Sequence, residues 1–163
     1  MDGDPWTGGI PHVVFNGTYG ITGGYPNGNW DPMYNQFLNI YNSMSQNQTP
    51  FILDVSVGGT GDMGMFDVTL TMESSYQTAN HRVEIFLFED SIYSLWTAVG
   101  LWFDARFVTR DWLSSNNITI SNAGETQTFS GSFPMDEAWE VSNVGIVAIV
   151  QNISTREVKQ AEF

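Results

Sequence analysis

From Phe51 onward, apolar and polar side chains alternate along the chain. Phe51, Leu53, Val55 and Val57 alternate with Ile52, Asp54 and Ser56, the period of a half-buried strand. Met65–Met72 repeats the pattern, with Phe66, Val68, Leu70 and Met72 on one face. Arg82–Glu89 does so too, but Val83, Ile85 and Leu87 are joined there by Phe86 and Phe88, which suggests cover on both sides. Ile118–Ser121, Thr126–Phe133, Val144–Val150 and Arg156–Glu162 complete seven predicted strands. The turns are read at 58–62, 122–124 and 151–155, where Gly, Asn, Ser and Thr collect. Seven short strands joined mainly by polar turns predict a mainly β chain, an immunoglobulin-like antiparallel sandwich. Ile92–Trp112 keeps no clean period and reads as a long crossover or irregular edge insertion.

Before residue 50 the pattern is different. His12–Phe15 reads as a short strand stopped by Asn16-Gly17, with Ile21-Thr22 as its hairpin partner. Asp31-Pro32 is a helix start, with Asp31 as the cap and proline at the first helical position. Met33, Phe37, Ile40, Tyr41 and Met44 then recur at helical spacing to about Ser45. The polar stretch 46–50 is the expected boundary between a β-β-α segment, residues 1–49, and a sandwich domain, residues 50–163.

Composition narrows the class. Hydrophobic residues are 42% of the chain and 23 residues are aromatic, enough for a sizeable core. Eighteen Asp and Glu face five Lys and Arg, a formal charge of −13. Such a field repels phosphate backbones and anionic lipid, so no nucleic-acid partner is expected. Only 14% of residues are charged and Lys159 is the one lysine; the neutral-polar remainder suits an extracellular β protein. There is no cysteine, which excludes disulfides, thiolate catalysis and cysteine-bound zinc. No apolar run approaches the roughly 20 residues of a helical membrane span. Met1–Asp4 lacks the start of a signal peptide, so an exported form would begin upstream of Met1.

Gly9-Ile10-Pro11-His12-Val13-Val14-Phe15-Asn16-Gly17 resembles the thioredoxin-fold segment in which a cis proline precedes a central strand. Three further stretches extend the likeness: 83–90, 108–113 and Val147-Ala148-Ile149-Val150-Gln151-Asn152 with Thr155–Ala161. Together they are similar to exported bacterial proteins in which a β-sandwich follows a thioredoxin-like domain, the twenty-eight-kilodalton outer membrane protein family. The resemblance implies a cis bond at Pro11, a surface location and a β-β-α piece that is the last part of a thioredoxin fold. The half that carries Cys-x-x-Cys is absent, so no redox activity is carried over.

The candidate sites are few. His12 and His81 are isolated and read as structural, His81 as a surface turn residue. Glu89-Asp90, Asp136-Glu137 and Glu140 could form a glycosidase-type carboxylate pair, but solvated loop charges explain them better. Asp2, Asp4 and Asp62 offer oxygens to calcium without an EF-hand pattern; no cofactor is expected. Trp96, Trp102, Phe103, Phe107 and Trp112 are interface or ligand aromatics, with core packing and interface burial favoured over a sugar-stacking platform. Asn16, Asn47, Asn117 and Asn152 head Asn-x-Ser/Thr sequons, each at a predicted turn or loop.

These features point to a non-enzymatic extracellular or cell-surface module. Half a fold leaves unpaired backbone edges and apolar faces, so self-association or a protein partner is expected to cover the N-terminal segment. Head-to-tail contacts that do not close would give a fibre or pilus-like filament. The competing readings are a fragment of a longer thioredoxin-like redox or chaperone protein, and a carbohydrate-binding module.

Overall fold

The computed structural model describes residues 12–23, 30–97 and 100–163. The sandwich is built from a three-stranded and a four-stranded antiparallel sheet. The first contains β3 (Phe51–Thr60), β4 (Met63–Met72) and β9 (Thr126–Pro134), in the order β3-β4-β9. The second contains β5 (His81–Glu89), β8 (Val108–Asn117), β10 (Val144–Asn152) and β11 (Val158–Glu162), in the order β11-β10-β5-β8. The alternation sets the inner faces. Leu53, Phe66, Val68 and Leu70 of one sheet meet Val83, Ile85, Leu87, Ile146 and Ala148 of the other in one buried cluster. At roughly 1.5–3 kcal/mol for each large apolar side chain removed from water, this cluster is the main stabilising term.

Several elements depart from the sequence reading. β3 continues through Gly58-Gly59-Thr60, so the turn is only Gly61-Asp62. Gly64 stays small because its missing Cβ leaves room for the Phe133 ring, which lies directly over it. Ile118–Ser121 is not a strand. The Gln127 amide oxygen accepts from Thr119 N at 2.9 Å, taking the donor that a ladder would need. Thr78 Oγ1 donates to Ile120 O at 2.7 Å, and Tyr76 N donates to Ser121 O at 2.9 Å. The segment is therefore a strap whose backbone is satisfied outside a sheet. Ile92–Trp112 holds a hairpin of β6 (Ile92–Trp96) and β7 (Leu101–Ala105), followed by the first half of β8.

His81 is buried rather than a surface turn residue, with its ring 5.4 Å from Tyr76 and 6.1 Å from Phe51. Its Nδ1 lies 3.2 Å from Ala79 O, which only an Nδ1–H can satisfy.

At the N-terminal end, β1 (His12–Phe15) and β2 (Tyr19–Thr22) form the expected hairpin. Helix α1 (Asp31–Met44) packs on it through Phe37, 5.3 Å from Phe15. Trp30 caps α1, with no side-chain bond; Asp31, read as the cap, lies in the first turn, where its charge suits the helix dipole. The β1–β2 turn docks on the turn between β10 and β11. Val158 N donates to Asn16 O at 2.9 Å, and Gly17 packs on the Arg156 carbonyl so closely that a Cβ would collide with it.

Candidate binding surface

The two sheets present different outer faces. On β3, β4 and β9 the outward positions include Asp54, Ser56, Asp67, Thr69, Thr128 and Ser130, with Ser130 Oγ bonded to Asp67 at 2.5 Å. That is an ordinary solvated face. On the four-stranded sheet, the outward positions of β5 and β10 include Phe86, Phe88, Val147 and Ile149. Phe163, just past β11, and Phe107, just before β8, join them. Phe88, Phe107 and Phe163 touch pairwise at 5.5, 6.5 and 5.9 Å between centroids. With Thr109 and Val147 these rings line an apolar recess of about 230 Å³. Phe88 is buried on the side of the sheet that faces away from the core.

Two bulges bring Trp112 to this face. The β5–β8 register runs from Ile85–Ser114 to Phe86–Trp112, and from Leu87–Asp111 to Phe88–Thr109, leaving Leu113 and Arg110 as extra residues. Without the bulge at Leu113, Trp112 would share the core-facing side with Ser114. Instead it stacks on Phe86, 60% exposed, and its Nε1 donates to Glu84 Oε2 at 3.0 Å. Ser115 Oγ donates to the other Glu84 oxygen at 2.9 Å, and this carboxylate is only 5% exposed.

The β6–β7 hairpin continues the apolar surface. Tyr93, Leu95, Trp96, Leu101, Trp102 and Phe103 are between 39% and 67% exposed. The pairing puts Tyr93, Leu95 and Trp102 on one face and Trp96, Leu101 and Phe103 on the other, so both faces are apolar. Tyr93 lies over Trp102 at 4.9 Å and 17°, and Trp96 meets Phe103 edge-on at 6.4 Å. Of the two uses favoured in sequence, core packing and interface burial, core packing does not apply to Trp96, Trp102, Phe103 and Trp112, which are all exposed. They fall into two groups, three on the hairpin and one on the sheet, with Phe107 where the two surfaces meet.

The base of the hairpin is clamped by Asp90. Arg106 donates to both Asp90 oxygens at 2.6 and 2.8 Å, and Phe107 N donates to Oδ1 at 3.0 Å. The Arg106 bonds, helped by the Phe107 amide, hold the Asp90 carboxyl well below the usual carboxylate range. Ser91 and Phe107, on either side of the hairpin, have φ of 55° and 49°. A bulky residue in the left-handed region costs on the order of 1–3 kcal/mol. The clamp holds that strained geometry, which turns the Phe107 ring onto Phe88.

Of the carboxylates singled out in sequence, Glu89, Asp90, Asp136 and Glu140 serve as fasteners, and Glu137 is exposed. Arg110 Nη2 donates to Glu89 Oε2 at 2.6 Å while Glu140 N donates to Glu89 Oε1 at 3.0 Å, and the guanidinium lies 5.8 Å over Trp139. Asp136 accepts from Ala138 N at 2.8 Å. Among the described residues no three His, Asp or Glu cluster as metal ligands; Asp62 sits in the β3–β4 turn, while Asp2 and Asp4 lie outside those residues. Pro11 lies outside them too.

Asn16 and Asn47 are exposed at turns, as expected. Asn117 and Asn152 instead end strands β8 and β10. Asn117 Oδ1 accepts from Arg82 Nε at 3.0 Å. Asn152 Oδ1 accepts from Ser154 N and Thr155 N, and its Nδ2 lies 3.3 Å from His81 Nε2, so an attached sugar would displace that contact.

The fold is that of a two-sheet β-sandwich whose four-stranded sheet has an apolar outer face. It is similar to the crystal structure of a domain of the outer membrane lipoprotein Omp28 from Porphyromonas gingivalis. The TM-score is 0.51 at 15% identity, over 71% of this chain and 87% of that one. At this identity the likeness shows the fold, and it agrees with the β-sandwich expected from the sequence. No protein-family model and no curated protein matches the chain in sequence. No helix among the described residues is long and apolar enough to cross a membrane.

Proposed function

We propose that the chain is a non-enzymatic cell-surface module that works through protein contacts made by the aromatic hairpin and the outer face of the four-stranded sheet. The observation that carries this reading is the contrast between the two outer faces: one mainly polar, with Ile52, Met63 and Met65 as its exposed apolar residues, the other lined by the rings of Phe86, Phe107, Trp112 and Phe163. Exposed apolar patches beyond about 300–600 Å² mark interaction sites. The stacking of Tyr93 on Trp102 favours protein contact over sugar binding, since rings laid over one another do not form a flat tandem platform. The likeness to an outer membrane lipoprotein domain supports the surface location. The test is tryptophan-directed labelling of intact source cells, followed by peptide mapping. Labelling of the chain on whole cells, with reduced labelling of Trp102 and Trp112 relative to the purified chain, is expected; a chain labelled only after lysis overturns the reading.

A fibre is the second reading, and a separate patch favours it. Helix α1 leaves Tyr34 and Tyr41 exposed beside Trp30, and among the described residues the β1–β2 sheet has two strands. With the N-terminal segment as a second contact, each copy could join two others. Electron microscopy of the purified chain tests this reading, and uniform small particles at every concentration would remove it.

A further inference from the structure

We infer that the partner of the aromatic surface is a second copy of this chain, paired about a two-fold axis with each β6–β7 hairpin lying across the other copy's four-stranded sheet. The inference rests on the protein-contact reading above and names its partner.

Continuity supports a closed pair. Phe107 follows the hairpin directly and touches Phe88 and Phe163 on the sheet, so hairpin and sheet face form one patch. A single patch that holds both a protruding apolar arm and an apolar recess can be self-complementary: the arm of each copy covers the face of the other, and the contact closes at two. The recess bounded by Phe88, Phe107, Val147 and Phe163 is of the order of one large aromatic side chain.

Area supports it as well. At about 200 Å² for a whole large side chain, the six hairpin residues expose roughly 650 Å² over the two hairpin faces, roughly 330 Å² on each. Phe107, Trp112 and Phe163, 53–74% exposed, add roughly 370 Å² on the same scale. A stable interface buries about 800 Å² from each partner.

Charge selects the face. A chain of −13 repels its own copies over most of its surface. Ile92–Phe103 carries no charged side chain. At its base Asp90 is neutralised by Arg106, and at the end of β5 Glu89 is neutralised by Arg110. Two acidic molecules can therefore approach here with Asp104, exposed opposite Tyr93, as the one carboxylate in the hairpin strands.

The experiment is sedimentation velocity on the whole chain from low to high micromolar concentration. A dimer is expected, with Leu101→Glu weakening it by about tenfold or more and Ile52→Glu, on the other sheet, leaving it unchanged. Thermal melts of both variants check the fold. Because the chain has no cysteine, mixing a Leu101→Cys form with a Thr109→Cys form gives a second readout. An intermolecular disulfide is expected there and not with Thr128→Cys. A monomer at all concentrations, a dimer indifferent to Leu101→Glu, or growth past two copies overturns the inference. A monomer whose tryptophans are still protected on whole cells overturns the pairing and leaves the surface-contact reading standing; if they are accessible there, both fall.

Discussion

Trp112 stacks on Phe86 with ring centroids 6.0 Å apart and planes 21° apart, and it does so because Leu113 is an extra residue in β8. The bulge changes the side of the sheet on which the indole stands. It also delivers the indole N–H to Glu84, a carboxylate whose other oxygen is held by Ser115. One inserted residue thus connects a local backbone irregularity to an apolar outer face and to a satisfied buried charge.

Replacing Trp112 separates these two roles. Trp112→Phe keeps a ring on Phe86 but leaves Glu84 with one donor fewer; Trp112→Ala loses both. The expected losses in urea unfolding are about 1–2 kcal/mol for Phe and about 2–3 kcal/mol for Ala, since a charge-accepting bond is worth about 1.5–3 kcal/mol. Equal losses for the two variants would mean that the ring stack contributes nothing.

The Asp90 clamp predicts an acid-sensitive hairpin. The folded carboxyl titrates well below the usual carboxylate range, chiefly because Arg106 bonds to it. In acid the unfolded chain therefore binds the proton more readily than the folded one. The stabilisation is complete above about pH 4 and is lost as pH falls below that toward the lower folded pKa. Asp90→Asn should abolish this part of the acid dependence and loosen the hairpin at pH values where the parent carboxylate is ionised. Hydrogen exchange of amides 91–107 measures it: faster exchange in the variant at pH 6, with a smaller further change on acidification than in the parent chain.

Gln127 shows why part of the fold was illegible in the sequence. Ile118 and Ile120 alternate with Thr119 as a strand would, yet Gln127 takes the Thr119 amide and donates to Asn117 O at 3.1 Å. A side chain eight residues away decides the outcome, and no period reports it. The inner faces were legible because Phe66, Val68, Leu70 and Val83, Ile85, Leu87 each follow a single rule of burial. The double-sided apolar character of Arg82–Glu89 was legible too, and it marks the strand beneath the proposed contact surface. Ile92–Trp112 was not, because a hairpin apolar on both faces has no alternation to read and two bulges rephase the strand after it. His81 offered no signal either: it is enclosed by Phe51, far off in sequence, and by Tyr76, which lies in the irregular stretch before β5 where no period places it.

The same amide makes a third prediction. Gln127→Ala removes the bond from Thr119 N in the strap and the bond to Asn117 O at the end of β8, and the Thr119 N–H must turn to water. A loss of about 1–3 kcal/mol is expected, with faster exchange at the Thr119 amide and little change in β10. Gln127→Glu retains the acceptor for Thr119 N while losing the donor to Asn117 O, so it should protect the Thr119 amide more than alanine does.

The attachment of the N-terminal hairpin to the sandwich rests on Gly17. Its φ of 73° favours glycine, and a Cβ there would meet the Arg156 carbonyl, which is backbone and cannot swing aside. Gly17→Ala must therefore push the β1–β2 turn off the β10–β11 turn and break the bond from Val158 N to Asn16 O. A destabilisation of about 1–3 kcal/mol follows from backbone strain alone. For a chain of this length it lowers the melting temperature by about 2–4 °C per kcal/mol. The Val158 amide should lose its protection, while Val68, Ile85 and Ala148 in the core keep theirs. Unchanged protection at Val158 would mean that the hairpin is held to the sandwich by contacts other than this turn.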